Sequence, residues 1–315
     1  MSIDSNLADL QRLDTVLTDG GIETWIDFNS DYELGELGPI GMLDDGPGRS
    51  ILVDLETRYI NAAREHDLEI VIGTPSWHGA MHRLVAAGRS DSDVERLNRS
   101  AVWLARALRR EVAQGRGFVA GVIGPFGDGY RPNDALDVVQ ARAVHERQAQ
   151  ALAAADPDFL FAMPLPAVDE AVGLCQAMAA TGAAYVPSFL VGSTGRLPDG
   201  TAVGEAIGRV LHEVESEPLH VSISCVHPRT FVSGYQAAQA LGGADHLSLI
   251  AELKANGSDL PLAQLDGSTE LHSDDPDVWA SHMIEARDLA GLRILGGCCG
   301  TDEHHIAALA AALTD

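Results

Sequence analysis

Short apolar runs alternate with longer amphipathic segments along the whole chain. Each run is rich in β-branched and other apolar residues and ends at Gly, Pro, Asp or Ser, as buried strands do, whereas each longer segment has helical periodicity. The runs predict eight strands, at residues 14–21, 68–74, 117–125, 158–164, 184–191, 219–225, 247–255 and 292–299. The segments between them predict helices at residues 93–114, 134–155, 168–181, 203–215, 231–241 and 275–290.

This alternation predicts the fold class. Eight strands separated by helices in 315 residues favour an α/β protein with a single-domain (β/α)8 TIM barrel over residues 1–315. No GxGxxG motif follows the first strand, which disfavours an open dinucleotide-binding sheet. Residues 26–50, rich in Gly, Asp and Pro, follow the first strand, and the sequence leaves open whether they form an ordered lid or a mobile loop.

Composition and charge restrict the partners. The chain is 46% hydrophobic, enough for a sizeable core, and has 21 Lys and Arg against 46 Asp and Glu, a net charge of −25. Such a field repels nucleic acid and anionic membrane surfaces, so we expect small-molecule partners. The N-terminus has no signal-peptide pattern and no apolar run is long enough to cross a bilayer, so we expect a cytoplasmic protein. Whether it forms a homo-oligomer is left open.

Unusual residues cluster where the predicted strands end. The carboxyl ends of barrel strands meet at one rim, where the active sites of this fold lie. We therefore expect one site there, with substrate contacts from residues after the first, second, fourth and seventh strands and cysteines from the sixth and eighth. The candidates are Asp19, Gly20, Gly21, Thr74, Trp77, Met163, Asn256, Cys225, Cys298 and Cys299.

Three of the four cysteines belong to this group. A disulfide between adjacent cysteines is strained, and cytoplasmic thiols stay reduced. Three thiolates suit Zn²⁺ and leave its fourth position open, where a substrate thiol would become a nucleophile at neutral pH. The alternative is that Gly-Gly and Cys-Cys only provide small residues where a strand packs on a helix.

The remaining polar and sulfur residues have plainer interpretations. The helix after Gly300 is predicted to be capped by Thr301, and its positive end favours thiolates in the adjacent cysteines. Cys175 lies on an apolar helical stripe and is predicted to be an inert core residue. His304 and His305 are predicted to be exposed. His145 and Gln148 share a helix face and predict a packing or polar-network role.

Several motifs together resemble one known family. They are DGGIET at residues 19–24, GPFGDGY at 124–130, SF…GRLPDG at 188–200, CVHP at 225–228 and GGCCGT at 296–301. The chain resembles the homocysteine S-methyltransferases. The resemblance implies a zinc site at Cys225, Cys298 and Cys299, with homocysteine as the fourth ligand. It also implies methyl transfer to that thiol from a small onium donor of the S-methylmethionine, S-adenosylmethionine or betaine type, giving methionine.

The same resemblance assigns the amino-acid end of the substrate. It implies that Asp19 holds the ammonium group of homocysteine, with the amides of Gly20 and Gly21 close by. Well-studied members carry a second ammonium ligand, a Glu at the end of the fourth strand, where this chain has Met163. A demethylase or alkyltransferase acting on another thiol or onium metabolite is therefore a second hypothesis. A thiol or metal sensor without turnover is a third.

Aromatic residues at strand ends also bear on the donor. Trp77, Phe126, Tyr130 and Phe189 either face the positive charge of an onium donor or pack at the rim of the barrel.

Overall fold

A computed structural model of the protein describes residues 5–260, 262–265 and 268–314. Eight parallel strands close into a barrel in chain order, which confirms the predicted TIM barrel. The strands are β1 (Val16–Thr18), β2 (Glu69–Gly73), β3 (Phe118–Ile123), β4 (Phe159–Leu165), β5 (Tyr185–Phe189), β6 (Val221–Val226), β7 (Ile250–Ala255) and β8 (Ile294–Gly297).

Helices surround the barrel and cover the outer faces of the strands. They are α1 (Ser5–Arg12), α2 (Glu23–Asn29), α3 (Gly46–Glu65), α4 (Met81–Ala86), α5 (Asp93–Glu111), α6 (Val138–Ala153), α7 (Val168–Ala179), α8 (Val203–Glu213), α9 (Pro228–Ala238), α10 (Leu262–Leu265), α11 (Pro276–Ala290) and α12 (Glu303–Thr314). All the predicted strands and helices are present. Strands β3, β4, β6 and β7 are buried along their whole length, and β3 and β4 are accordingly near-continuous apolar runs. Among the residues that the structure describes, no helix has the length and apolarity needed to cross a membrane.

The segment at residues 26–50 is folded against the mouth of the barrel. It contains the end of α2, a 3₁₀ helix at Gly38–Asp44 and the start of α3. Ile26 and Ile40 are fully buried. The Asp45 carboxylate accepts a hydrogen bond from the Gly48 amide at 2.8 Å and so caps α3. The Gly, Pro and Asp residues of this segment thus supply turns and a helix cap rather than an unstructured loop.

Barrel closure brings the two ends of the chain together. In β1, Val16 and Leu17 pair with Ile294 and Leu295 of β8. Beyond this pairing, the Gly297 amide donates to the Asp19 carbonyl at 3.0 Å, and the Gly21 amide to the Thr301 carbonyl at 3.1 Å. The DGG and GGCC segments therefore lie side by side at the carboxyl ends of the strands.

A buried polar network fixes the packing of α6, as predicted. His145 Nε2 lies 3.3 Å from the Glu170 carboxylate. The Gln148 amide donates to the Ser76 carbonyl at 2.8 Å and to Asn98 Oδ1 at 3.1 Å.

Two predictions about the last helix are wrong. Asp302 caps α12 in place of Thr301, since its carboxylate accepts from the His304 and His305 amides at 3.0 and 3.2 Å. Thr301 instead turns back to donate to the Cys298 carbonyl at 2.8 Å. His304 is exposed as predicted, but His305 is buried because its ring lies edge-on to Trp279 and both its nitrogens have polar partners.

Candidate active site

A cavity of about 270 Å³ opens at the carboxyl ends of the strands. It is lined by every predicted site residue except Asn256. These lining residues are Asp19, Gly20, Gly21, Thr74, Trp77, Met163, Cys225, Cys298 and Cys299. Residues from the ends of five strands therefore line one cavity.

The three cysteine side chains converge at this cavity. The Sγ atoms of Cys225 and Cys298 lie 2.9 Å apart, and each of the three thiols is within hydrogen-bonding reach of the other two. The hydrogen bonds from Cys225 and Cys299, together with the charge of Lys254, hold the pKa of Cys298 well below its usual range. The pKa values of Cys225 and Cys299 are raised correspondingly, so Cys298 is the first of the three to ionise.

A local backbone irregularity aims Cys225 into the barrel. Its φ is +60°, in the left-handed region, and the register between β6 and β7 shifts between Ser224 and Val226. The Asn256 side-chain amide donates to the Cys225 carbonyl at 3.0 Å. The Tyr130 hydroxyl donates to the same carbonyl at 3.4 Å. The Asn256 side chain therefore contacts the backbone of Cys225 and does not line the cavity.

Glycines allow the vicinal cysteine segment to approach β1. A Cβ atom at Gly21 would lie 2.6 Å from the Cys298 carbonyl oxygen, and one at Gly297 would lie 2.0 Å from Thr301 Oγ1. Gly300 has a φ of +80°, and its amide donates to Thr24 Oγ1 at 3.0 Å. Only glycine fits these positions without moving the cysteines.

Asp19 is engaged by a lysine in the cavity wall. Lys254 Nζ makes a short ion pair with Asp19 Oδ1 and also donates to Thr18 Oγ1 at 2.9 Å and to the Asp19 carbonyl at 3.3 Å. The other carboxylate oxygen accepts from the Gly73 amide at 2.7 Å. Burial opposes the charge on Lys254, but Asp19 outweighs it and raises the pKa of the ammonium. All three ammonium hydrogens thus have protein acceptors, and Asp19 is neutralised before any substrate binds.

Trp77 and Met163 form one wall of the cavity. The Trp77 indole nitrogen donates to the Met163 carbonyl at 2.6 Å. The buried Thr74 side chain bonds the Ser76 hydroxyl at 2.6 Å and accepts from the Val122 amide at 2.8 Å, which fixes the turn that carries Trp77.

Glu23, at the start of α2, also lines the cavity. Partial burial in the cavity wall and the charges of Asp27 and Cys298 raise the pKa of Glu23 to about 7. Its Oε1 lies 3.8 Å from His78 Nδ1, which has no hydrogen-bond partner among the described residues. Burial and Arg83 lower the pKa of His78 to about 4, so His78 is neutral at pH 7.

A second cluster of ligand-type side chains lies next to Cys225 in sequence. One nitrogen or oxygen atom from each of His227, Asp274 and His282 falls within 4.8 Å of the others. Both ring nitrogens of His227 are used, however, because Nδ1 accepts from the Arg229 amide at 3.3 Å and Nε2 lies 3.1 Å from the Asp274 carboxylate. This pair ties the end of β6 to the segment before α11.

Comparisons with known proteins identify the family of the chain. The family described as Homocysteine S-methyltransferase matches residues 16–313, nearly the whole chain. The chain belongs to the homocysteine S-methyltransferase family. It is therefore a methyltransferase with small-molecule substrates.

Individual relatives of this family are distant. The Homocysteine S-methyltransferase of Escherichia coli (strain K12) is 24% identical over 323 residues, covering 96% of this chain and 96% of the relative. The oxidised form of the Escherichia coli homocysteine methyltransferase MmuM has a TM-score of 0.78 at 23% identity, over 98% of this chain and 100% of that one. Its metallated form has a TM-score of 0.75 at 22% identity, over 97% and 98%. These similarities to solved structures support the barrel fold.

This homocysteine S-methyltransferase family member has site residues that the sequence analysis missed. Glu23, Glu252 and Lys254 all line the cavity. Glu252 and Lys254 are two positions apart within the otherwise apolar strand β7, so their side chains point to the same face. Charged residues with that spacing inside a buried strand are the signal that could have revealed them.

Proposed function

We propose that the protein transfers a methyl group from a small onium donor to the zinc-bound thiolate of homocysteine, giving methionine. The observation that carries this proposal is the convergence of Cys225, Cys298 and Cys299 in one cavity at the barrel rim. Three thiols with interacting protons, one of them readily ionised, are a donor set that fits Zn²⁺.

The residues divide the work between metal and substrate. Cys225, Cys298 and Cys299 would hold the zinc, which as a Lewis acid would lower the pKa of a bound substrate thiol. The backbone irregularity at Cys225 and the hydrogen bond from Asn256 hold one of these ligands in place. Lys254 adds positive charge beside Cys298 and favours its thiolate form.

Methyl transfer then needs only alignment and the exclusion of water. The sulfur lone pair of homocysteine forms a bond to the methyl carbon while the bond from that carbon to the positive donor atom breaks and its electron pair neutralises the donor. The apolar wall of the cavity, made by residues such as Val122, Phe161 and Met163, shields the reacting sulfur from water.

The engagement of Asp19 favours a second candidate, transfer to or from a sulfur compound other than homocysteine. Asp19 already holds a full ion pair with Lys254, and Met163 adds no carboxylate. An acceptor thiol without an ammonium group would suit this pair better than an amino acid, because a neutralised carboxylate attracts a cation weakly.

A matrix of donors and thiol acceptors tests the proposal. Purified protein loaded with zinc is incubated with S-methylmethionine, S-adenosylmethionine or betaine and with homocysteine, and methionine is measured by mass spectrometry. We expect methionine from at least one donor, one zinc ion per chain in the wild type and loss of both in Cys299→Ser. Zinc binding without methionine from any donor would overturn the proposal.

The acceptor is tested with a matched pair of thiols. Homocysteine and 4-mercaptobutanoate differ only in the amino group. The leading proposal expects homocysteine to bind the zinc protein more tightly, with release of a proton. Tighter binding or faster methylation of 4-mercaptobutanoate favours the second candidate.

A further inference from the structure

Onium methyl donors pose a specific recognition problem. The atom that gives up the methyl group is positively charged and, in a sulfonium or quaternary ammonium, has no hydrogen to donate. A protein recognises such a centre with aromatic faces or with an unneutralised carboxylate.

The four aromatic residues predicted at strand ends do not form a cage, and Phe161, which also lines the cavity, is buried within β4. Phe189 is fully buried and Phe126 packs on the His82 ring at 4.4 Å between centroids, and neither lines the cavity. Trp77 lines it, but the Arg83 guanidinium lies over its ring at 4.9 Å from the centroid. That cation takes up one face of the indole and opposes a second positive charge nearby. Of the aromatics predicted at strand ends, Tyr130 alone lines the cavity without such a neighbour among the described residues.

Four carboxylates line the cavity, and three have charged or imidazole partners at close range. Asp19 pairs with Lys254, and Asp128 lies 3.3 Å from the guanidinium of Arg131. The Glu252 carboxylate lies 2.7 Å from His220 Nε2. The fourth carboxylate is Glu23.

Glu23 has no hydrogen bond to any described residue, and its nearest partner is the neutral ring of His78 at 3.8 Å. Arg83 is close enough to lower the pKa of Glu23, but its own hydrogen bonds run to the carbonyls of residues 125–127. Among the four carboxylates that line the cavity, Glu23 is thus the one without a hydrogen-bonded or ion-paired partner among the described residues.

The position of Glu23 also suits the donor. Its side chain keeps 43% of its accessible surface while lining the cavity, whereas the Asp19 side chain keeps 5%. Glu23 is therefore nearer the mouth, and Asp19 is nearer the floor. An acceptor whose sulfur meets the cysteines leaves the mouth side for the donor, because the methyl group must reach that sulfur from the side away from the metal.

The geometry points to Glu23 as the residue that binds the positively charged centre of the methyl donor. This inference rests on the proposed function and adds a donor subsite to it. A cation beside Glu23 favours the ionised carboxylate. Because the donor loses its charge as the methyl group leaves, Glu23 stabilises the bound donor more than the transition state. Glu23 therefore strengthens the binding of the donor, and its removal should weaken that binding without lowering kcat.

Kinetics of Glu23→Gln test the inference, with Glu33→Gln as the matched control. Glu33 is an exposed carboxylate beyond the end of α2 and does not line the cavity. We expect Glu23→Gln to raise the KM for the donor about tenfold or more, as for other close charge pairs. We expect kcat to be unchanged or to rise, and the KM for homocysteine and the zinc content to stay within about twofold. Glu33→Gln should leave the donor KM close to that of the wild type.

Equilibrium binding tests the inference even if no donor supports turnover. S-methylmethionine and 2-amino-5-methylhexanoate have the same shape, but a neutral carbon replaces the sulfonium in the second compound. Betaine and 3,3-dimethylbutanoate form an equivalent pair. By calorimetry, the wild type should prefer the onium member of at least one pair, and Glu23→Gln should lose that preference while keeping its affinity for the neutral member.

Three results would overturn the inference. Equal affinity of wild-type protein for charged and neutral members of both pairs would show that no onium subsite exists. A rise in the homocysteine KM alone would assign Glu23 to the acceptor. Loss of zinc from Glu23→Gln would make Glu23 a metal ligand. Failure of the proposed function is a different result, namely no methionine from any donor whatever the binding data show.

Discussion

At the residue scale, the pair of Asp19 and Lys254 explains how two charges are kept inside a barrel. The Asp19 side chain is 5% exposed and also accepts a hydrogen bond from the Gly73 amide. The Lys254 side chain is 10% exposed and also donates to the Thr18 hydroxyl. Removing one partner of such a pair leaves an uncompensated buried charge, which is far more costly than removing both.

A double-mutant cycle measures this coupling. We expect Lys254→Met or Asp19→Asn alone to lower the free energy of unfolding by about 3–5 kcal/mol. The double variant should lose clearly less than the sum of the two. Urea denaturation of the metal-free proteins gives all four free energies. Additive losses would show that the two side chains do not interact in solution.

Cys175 differs from the rim cysteines in its surroundings. It is fully buried in α7, and burial raises the pKa of its thiol far above the usual value. We expect iodoacetamide at pH 7.5 to modify rim cysteines of the chelator-treated native protein, with Cys175 modified only after unfolding. Peptide mapping by mass spectrometry identifies the sites. Modification of Cys175 in the native protein at the rate of the rim cysteines would contradict its assignment as an inert core residue.

At the scale of elements, the junction between β6 and β7 positions a metal ligand. Asn256, just beyond β7, reaches across to the carbonyl of Cys225, whose left-handed backbone interrupts the register of β6. This bond holds the cysteine in a conformation that a non-glycine residue adopts at a cost.

Asn256→Ala should therefore weaken zinc binding by about 10- to 100-fold, as expected for a residue that supports a ligand, while the barrel stays folded. Ser224→Ala is the matched control, because the buried Ser224 hydroxyl has no partner among the described residues and adjoins the same cysteine. Competition with a chromophoric chelator gives the affinities, and circular dichroism checks the fold. Equal zinc affinity in the two variants would show that Asn256 does not hold the ligand.

Local sequence patterns were enough to predict all eight strands of this fold, but not every helix or every boundary. Strand β7 begins at Ile250 rather than residue 247, because residues 244–249 form a 3₁₀ helix whose Leu247 and Leu249 resemble the start of a strand. Helix α3 was missed because Gly46, Pro47 and Gly48 resemble a loop. In fact Asp45 as the cap and Pro47 in the first turn form a helix-start signal.

In the site, too, some contacts could be predicted from the sequence and others could not. Cys225 and Cys298 could be placed together because barrel topology joins strand ends whatever their separation in sequence. The pairing of Asp19 with Lys254 was not predicted, because Lys254 lies within β7 rather than beyond its end, where the site residues were expected. Burial of His305 likewise depends on Trp279 and Ser273, which a helix-face argument does not include.

At the scale of the whole molecule, the candidate metal site links distant parts of the chain. Cys225 and Cys298 are 73 positions apart, and Cys298 follows the strand whose pairing with β1 closes the barrel. An ion held by all three cysteines therefore joins the sixth strand to the closure seam. Since unfolding separates these ligands, zinc should stabilise the entire barrel and not only its rim.

Calorimetry with and without a chelator tests this link. At a free zinc concentration 100 times the dissociation constant, binding adds about 2.7 kcal/mol, which for a chain of this length corresponds to a rise in Tm of about 4 °C. We expect this rise in the wild type and in Cys175→Ala, and its loss in Cys225→Ser and Cys299→Ser. Ionic strength is held constant, because a net charge of −25 makes stability depend on salt. An equal rise in Cys225→Ser would mean that zinc stabilises the protein from another site, with the His227, Asp274 and His282 cluster the first to examine by substitution.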